Sequence, residues 1–151
     1  MEFDRIDEII DGYERDQSKL VQILLDVQVE TRWLPPELLQ HISERLNLPL
    51  AQLYHVASFY KTFHLEPRGR NVLAVCVGTA CHVRGAQRIL DKASEILEIP
   101  PDTTTADEEF SLDTVNCLGC CALGPVVVMN GETHGKIQVS QVEELLSNRE
   151  E

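Results

Sequence analysis

Sulfur is gathered into one part of this chain. All five cysteines fall between positions 76 and 121, as Cys76-Val77-Gly78-Thr79-Ala80-Cys81 and Cys117-Leu118-Gly119-Cys120-Cys121, and the first 75 residues have none. Four thiolates in two pairs suit an iron–sulfur cluster or a structural zinc. Structural zinc favours ligands about two to four residues apart in both halves of the site. The first pair here is C-x4-C; the second reads as C-x3-C through Cys121 or as C-x-x-C through Cys120. A knuckle from Cys117 and Cys120 keeps zinc open beside iron–sulfur. A disulfide framework fits poorly, because the count is odd and no secretory signal precedes it. Cys117-Leu118-Gly119-Cys120 also spells a thiol–disulfide exchange motif. That chemistry needs the pair where a strand enters a helix N-terminus, which lowers the nucleophile's pKa, and here Cys76 and Cys81 hold that place.

The elements that must position these residues divide near Glu66-Pro67-Arg68-Gly69-Arg70, where Pro and Gly break both periodicities. Residues 1–66 read as helices. Phe3, Ile6, Ile10 and Tyr13 form one apolar stripe, and Leu20, Ile23, Leu24 and Val27 form another. Pro35 and Pro36 suit the first turn of a third helix carrying Leu38, Leu39, Ile42 and Leu46, which stops near Asn47. A fourth runs from Leu50 to about Phe63. Its Tyr54, Phe59, Tyr60 and Phe63 are either a docking face or core; Phe59 and Phe63, four residues apart, favour core.

In residues 67–151 the pattern changes. Val72 to Val77 is a short strand ending at the first cysteines, and Val83, Ala86, Leu90, Ala93 and Leu97 line a helix beginning near His82. Pro100 to Glu109 is a polar loop, followed by a strand through Phe110, Leu112 and Thr114. Val126–Met129 and Lys136–Val139 form a hairpin about Asn130-Gly131, and Ser140-x-x-Glu143 is a capping box for the last helix. A trans Gly124–Pro125 bond is expected, that being the common form.

The formal charge is −12, from 25 acidic and 13 basic residues. Nucleic-acid binding needs clustered Lys and Arg, so that function is excluded. With 43% hydrophobic residues and no apolar run near the roughly 18 that span a bilayer, a soluble protein without direct membrane contact is expected. Reduced cysteines and the lack of an export signal point to the cytoplasm.

The cysteine frame, with Val77-Gly78-Thr79-Ala80-Cys81-His82-Val83-Arg84-Gly85-Ala86 after the first ligand and Cys117-Leu118-Gly119 with Gly124-Pro125-Val126 about the second, resembles the thioredoxin-like [2Fe-2S] ferredoxins. These include the small iron–sulfur subunits of NADH:quinone oxidoreductase and of NAD(P)-linked hydrogenases and formate dehydrogenases. Trp33-Leu34-Pro35 and Val56-Ala57-Ser58-Phe59-Tyr60-Lys61-Thr62-Phe63 resemble the helical extension of that family. The resemblance implies an α+β fold, an N-terminal helical bundle followed by a thioredoxin-like α/β domain. It implies one [2Fe-2S] cluster on Cys76, Cys81, Cys117 and Cys121, with Cys120 a bystander and His82 no ligand.

It further implies an electron-transfer subunit that is not catalytic alone, in a hetero-oligomer with an FMN- and NAD(H)-binding flavoprotein subunit and further iron–sulfur subunits. Membrane association, if any, is peripheral and through those partners. No G-x-G-x-x-G or P-loop motif is present, which agrees with a separate nucleotide-binding subunit. The competing class is a zinc-stabilised interaction module without redox activity. An oxidised cluster on four thiolates carries a net charge of about −2, for which Arg84, Arg88 and a helix N-terminus after Cys81 are the available compensation.

Overall fold

The computed structural model describes residues 3–148 and separates into two compact units, residues 1–67 and 68–151. The first unit is helical. Its helices are α1 (Asp4–Gly12), α2 (Leu20–Thr31), α3 (Pro36–Leu46) and α4 (Leu50–Phe59). The expected stripes do the packing: Ile6, Ile10, Ile23, Leu24, Val27, Leu38, Leu39 and Ile42 are buried in one core. Pro36 opens α3 and Asn47, at φ 51°, ends it in the left-handed conformation that Asn tolerates.

Helix α4 stops four residues short of the predicted end. Tyr60 turns extended, so Phe59 and Phe63 share no helical face. Phe63 folds back into the core at 6% exposure, while Phe59 is left 73% exposed and Tyr60 44%. The Gln28 side chain holds that return, donating to Thr62 O at 2.8 Å and accepting from His64 N at 2.8 Å.

The second unit is built on a five-stranded mixed sheet in the order β2-β3-β1-β4-β5: β1 (Asn71–Cys76), β2 (Thr103–Thr104), β3 (Phe110–Val115), β4 (Val127–Met129) and β5 (Glu132–His134). Strands β1 and β3 are parallel with Cys76 opposite Val115, and β4 pairs antiparallel to β1. Helices α5 (Thr79–Val83), α6 (Ala86–Leu97) and α7 (Val142–Ser147) complete the unit. Leu73, Val75, Ile89, Leu90, Leu112 and Val127 are buried between sheet and helices.

Four expectations are corrected. The cysteine helix is two helices: α5 begins at Thr79 with Cys81 inside it, and Gly85 at φ 101° restarts the chain as α6. That break resets the helical phase, so Val83 is 80% exposed and not in the core. The second hairpin strand is Glu132–His134, because the Asn130-Gly131 turn, with both residues at positive φ, pairs Met129 directly with Glu132. Ile137 is buried outside any strand, its N–H donating to Pro125 O. The capping box is formed by Gln138 and Gln141 around a 3₁₀ turn, not by Ser140 and Glu143. Lastly, Gly124–Pro125 is cis; an X–Pro bond prefers trans by only about 0.5–1 kcal/mol, and both sides are anchored, Cys76 N–H bonding Val126 O and Ile137 N–H bonding Pro125 O. No helix among the described residues is long and apolar enough to cross a membrane.

Candidate metal centre

Two parallel strands bring the cysteine segments together. Strand β1 ends at Cys76, and β3 ends opposite it, so Cys117 follows two residues beyond the same edge. Val77 N–H donates to Val115 O and locks the two exits side by side. Gly78 then lies against Asn116 so closely that a Cβ there would stand 2.4 Å from Asn116 O. The glycine is needed because one ligand loop crosses the backbone of the other. Gly119, at φ 76°, turns the second loop in a conformation that L side chains rarely adopt.

The thiols fall into pairs. Cys76 and Cys81 are buried, and Cys117 and Cys121 are exposed. Cys117 Sγ and Cys121 Sγ are 3.9 Å apart, and Gly119 N–H points at Cys117 Sγ from 3.3 Å. Burial pushes the Cys76 thiol up, but the N–H groups of Gly78 and Leu118 and the Cys81 thiol bring it net below its ordinary value. Burial and the neighbouring Cys76 raise Cys81, against the opposing Val126 backbone. The Cys117 hydrogen bond raises Cys121, and the nearby Cys76 adds to it. The Cys120 thiol donates to Leu118 O at 3.4 Å, and Cys120 packs with Leu118 against the small cluster of Cys76, Cys81, Ala86 and Val126.

A tetrahedral zinc needs all four donors at one centre, whereas a two-iron cluster takes two from each side. Paired thiols in glycine-bearing loops, with backbone N–H groups turned on the sulfurs, fit the second.

The profile of the family described as thioredoxin-like [2Fe-2S] ferredoxin matches residues 6–150. The chain belongs to that family. Its cofactor is accordingly a [2Fe-2S] cluster, and the N-terminal helices with the mixed sheet are the expected α+β arrangement. The NADP-reducing hydrogenase subunit HndA of Solidesulfovibrio fructosivorans is 36% identical over 140 residues, 93% of this chain and 82% of the relative. A subunit of the NADH-quinone oxidoreductase of Escherichia coli K12 is 32% identical over 134 residues, 89% of this chain and 81% of the relative. In the crystal structure of an air-oxidized NAD+-reducing [NiFe]-hydrogenase, 85% of this chain superimposes with a TM-score of 0.76 at 21% identity. That likeness speaks for the fold, and this chain spans about a fifth, 22%, of the hydrogenase chain it matches.

Arg84 is the compensating cation that the structure ties to the centre. Its guanidinium donates to Cys121 O at 2.7 Å and so holds the second loop. His82 is exposed, and its backbone N–H closes the α5 turn onto Gly78 O. What sequence reasoning missed is the crossing of Gly78 over Asn116. Asn116 carries no ligand signal, and only the parallel register of β1 and β3 places it there.

Proposed function

We propose that this chain is the electron-transfer subunit of an NAD(P)H-linked oxidoreductase of the hydrogenase or NADH dehydrogenase type, holding its cluster on Cys76, Cys81, Cys117 and Cys121. The observation that carries the reading is the meeting of two thiol pairs across the Gly78–Asn116 crossing, with the Cys120 thiol engaged by Leu118 O. When bound, the cluster supplies one-electron oxidation and reduction. The N–H groups of Gly78, Leu118 and Gly119 aim at ligand sulfurs, where hydrogen bonds to thiolate are charge-assisted and strong. Burial of Cys76 and Cys81 keeps water from one side, while exposed Cys117 and Cys121 leave the other open to a redox partner.

A two-electron hydride donor needs a flavin to split its pair, so an FMN- and NAD(H)-binding subunit is the partner, with further iron–sulfur subunits beyond it. The assembly is a hetero-oligomer in the cytoplasm or peripheral on the inner membrane through those partners. The helical unit is a docking element for it: Val29, Phe59 and Tyr60 are large apolar side chains left in solvent, where a soluble monomer would gain by covering them.

The test is iron and sulfide analysis of anaerobically purified protein, with electron paramagnetic resonance after dithionite. About two irons and two sulfides per chain with an S = 1/2 signal are expected. NADH should reduce the protein only once the flavoprotein subunit is added. Stoichiometric zinc without visible absorbance would falsify the reading and leave the zinc-stabilised interaction module.

A further inference from the structure

The second unit holds six described cations, and they divide into two sets. Arg68 pairs with Asp113, Arg70 with Glu109 and Lys92 with Glu95. Arg84, Arg88 and Lys136 have no carboxylate partner among the described residues. All three line one shallow groove of about 350 Å³, beside Pro125, Ile137 and Val139. In a chain of net charge −12, three unneutralised cations in one groove make a local reversal of sign.

A second observation falls on the same ground. Among the described residues, the large hydrophobic side chains that this unit leaves exposed are Val83, Leu123 and Val139. Val139 lines the groove itself. Leu123 O accepts from Lys136 N at 2.6 Å. Val83 shares an adjoining depression with Arg84, Cys117 and Cys121. The groove of unpaired cations therefore adjoins the exposed thiol pair through Arg84, with the uncovered Val83 beside it.

We propose that this cationic, apolar-rimmed face is the landing surface for an acidic protein partner that exchanges electrons with the chain. The inference rests on the electron-transfer reading above and adds the chemistry of the contact. Exposed cations bind a lone small anion feebly at physiological salt. A protein surface that matches several at once gains both register and association rate, because complementary potentials steer encounter. Elsewhere the charge of the chain repels an acidic partner, so this face also fixes orientation, bringing the partner down beside Cys117 and Cys121. Arg84 belongs both to the groove and to the second loop, through Cys121 O.

The experiment is stopped-flow oxidation of the reduced, cluster-loaded full chain by trianionic ferricyanide and by tricationic hexaamminecobalt(III), for the native protein and for R88Q/K136Q. A second measurement is capture of each protein by a tagged flavoprotein subunit. Arg88 and Lys136 are exposed, so an unchanged visible spectrum certifies the fold. At low salt the substitutions should slow ferricyanide by about tenfold and speed the cobalt complex, a difference that closes in about 0.5 M salt. Capture should weaken in parallel. Ferricyanide rates indifferent to both substitution and salt overturn the proposal, as does capture of R88Q/K136Q as strong as that of the native chain. If the native chain keeps the charge-dependent rates but is not captured, the flavoprotein reading falls and the anion-steering face stands.

Discussion

The two units use charge and burial in opposite ways. In the helical unit, one cluster of charges ties α1 to α3. Asp7 and Asp11 of α1 meet Arg45 of α3 at 2.9 and 3.2 Å, Arg15 closes on Asp11 at 2.7 Å, and His41 completes the group at 2.7 Å from Asp7. The hydrogen bond from Arg15 holds the Asp11 carboxyl below its ordinary range, and the Ser18 hydroxyl and N–H do the same for Asp16. In the α/β unit the displaced groups are thiols, Cys76, Cys81 and Cys121, and three cations have no acidic partner among the described residues. One unit uses its clustered charges to tie its own helices together; the other gathers thiols, with Arg84, Arg88 and Lys136 in one groove, for a cofactor and a neighbour. A protein can thus separate the residues that make it stable from those that make it useful, and substitutions in each unit should read out differently.

The largest effect belongs to the cysteines. Cys76→Ser, Cys81→Ser, Cys117→Ser and Cys121→Ser should each lose the normal visible spectrum and most of the bound iron, while Cys120→Ser keeps both. Iron analysis with absorption spectra decides it. Retention by Cys121→Ser together with loss by Cys120→Ser would move the second pair to the C-x-x-C register. Next is Gly78→Ala, which leaves every ligand side chain in place. Its methyl group needs space occupied by Asn116 O, and that neighbour is backbone, so the crossing must open. Loss of well over half of the iron is expected, with the α-helical circular dichroism kept. A full cluster complement in Gly78→Ala would show that the loops do not depend on their crossing.

Against these, a core change in the helical unit should cost stability and spare the centre. Leu39 is fully buried, and Leu39→Ala should destabilise by about 2–5 kcal/mol through lost burial and the cavity left behind. Denaturant unfolding followed by helical dichroism should move, while the visible spectrum in native buffer stays the same. A shifted spectrum would mean that the cluster depends on the helical core.

How far the sequence could be read follows the same division. Helical periodicity made Ile6, Ile10, Ile23, Leu24, Leu38 and Ile42 legible, since each needs only its own helix to face one way. The cysteine frame was legible by type and spacing. What escaped depended on contacts distant in sequence. Thr103 and Thr104 form an edge strand only because Leu112 and Ser111 lie beside them, and nothing in two threonines announces it. Ile137 is apolar because it caps the core from a loop, which an alternation count mistakes for a strand. Phe63 returns to the core because Gln28 binds Thr62 and His64, more than thirty residues away in sequence.

A smaller effect concerns docking. Phe59→Ser with Tyr60→Ser removes exposed apolar surface and no core, so thermal stability should shift little, within the roughly half a kcal/mol typical of surface changes. Capture by the flavoprotein subunit should nevertheless weaken. Unchanged capture would assign the contact to the cluster-bearing unit alone.

The smallest expected effect is one of pH. The Asp11 carboxyl is held below its ordinary value first by the Arg15 hydrogen bond, against an opposing desolvation, with the Arg15 and Arg45 charges assisting. A carboxyl depressed in the folded state contributes stability above its unfolded pKa, near 4, and loses that contribution as pH falls through the folded value. The group lies in solvent, where ion pairs are screened and weak, so the contribution is slight. Asp11→Asn should therefore lower the stability of the helical unit marginally at pH 7 and make the loss between neutral and acid pH shallower. Thermal unfolding followed at 222 nm at pH 7 and at about pH 3 measures the difference, and added salt should shrink it. A native chain and an Asp11→Asn chain with parallel pH profiles would show that the α1–α3 charges are ornamental to stability. The contrast between the units would then rest on their cores and on sulfur alone.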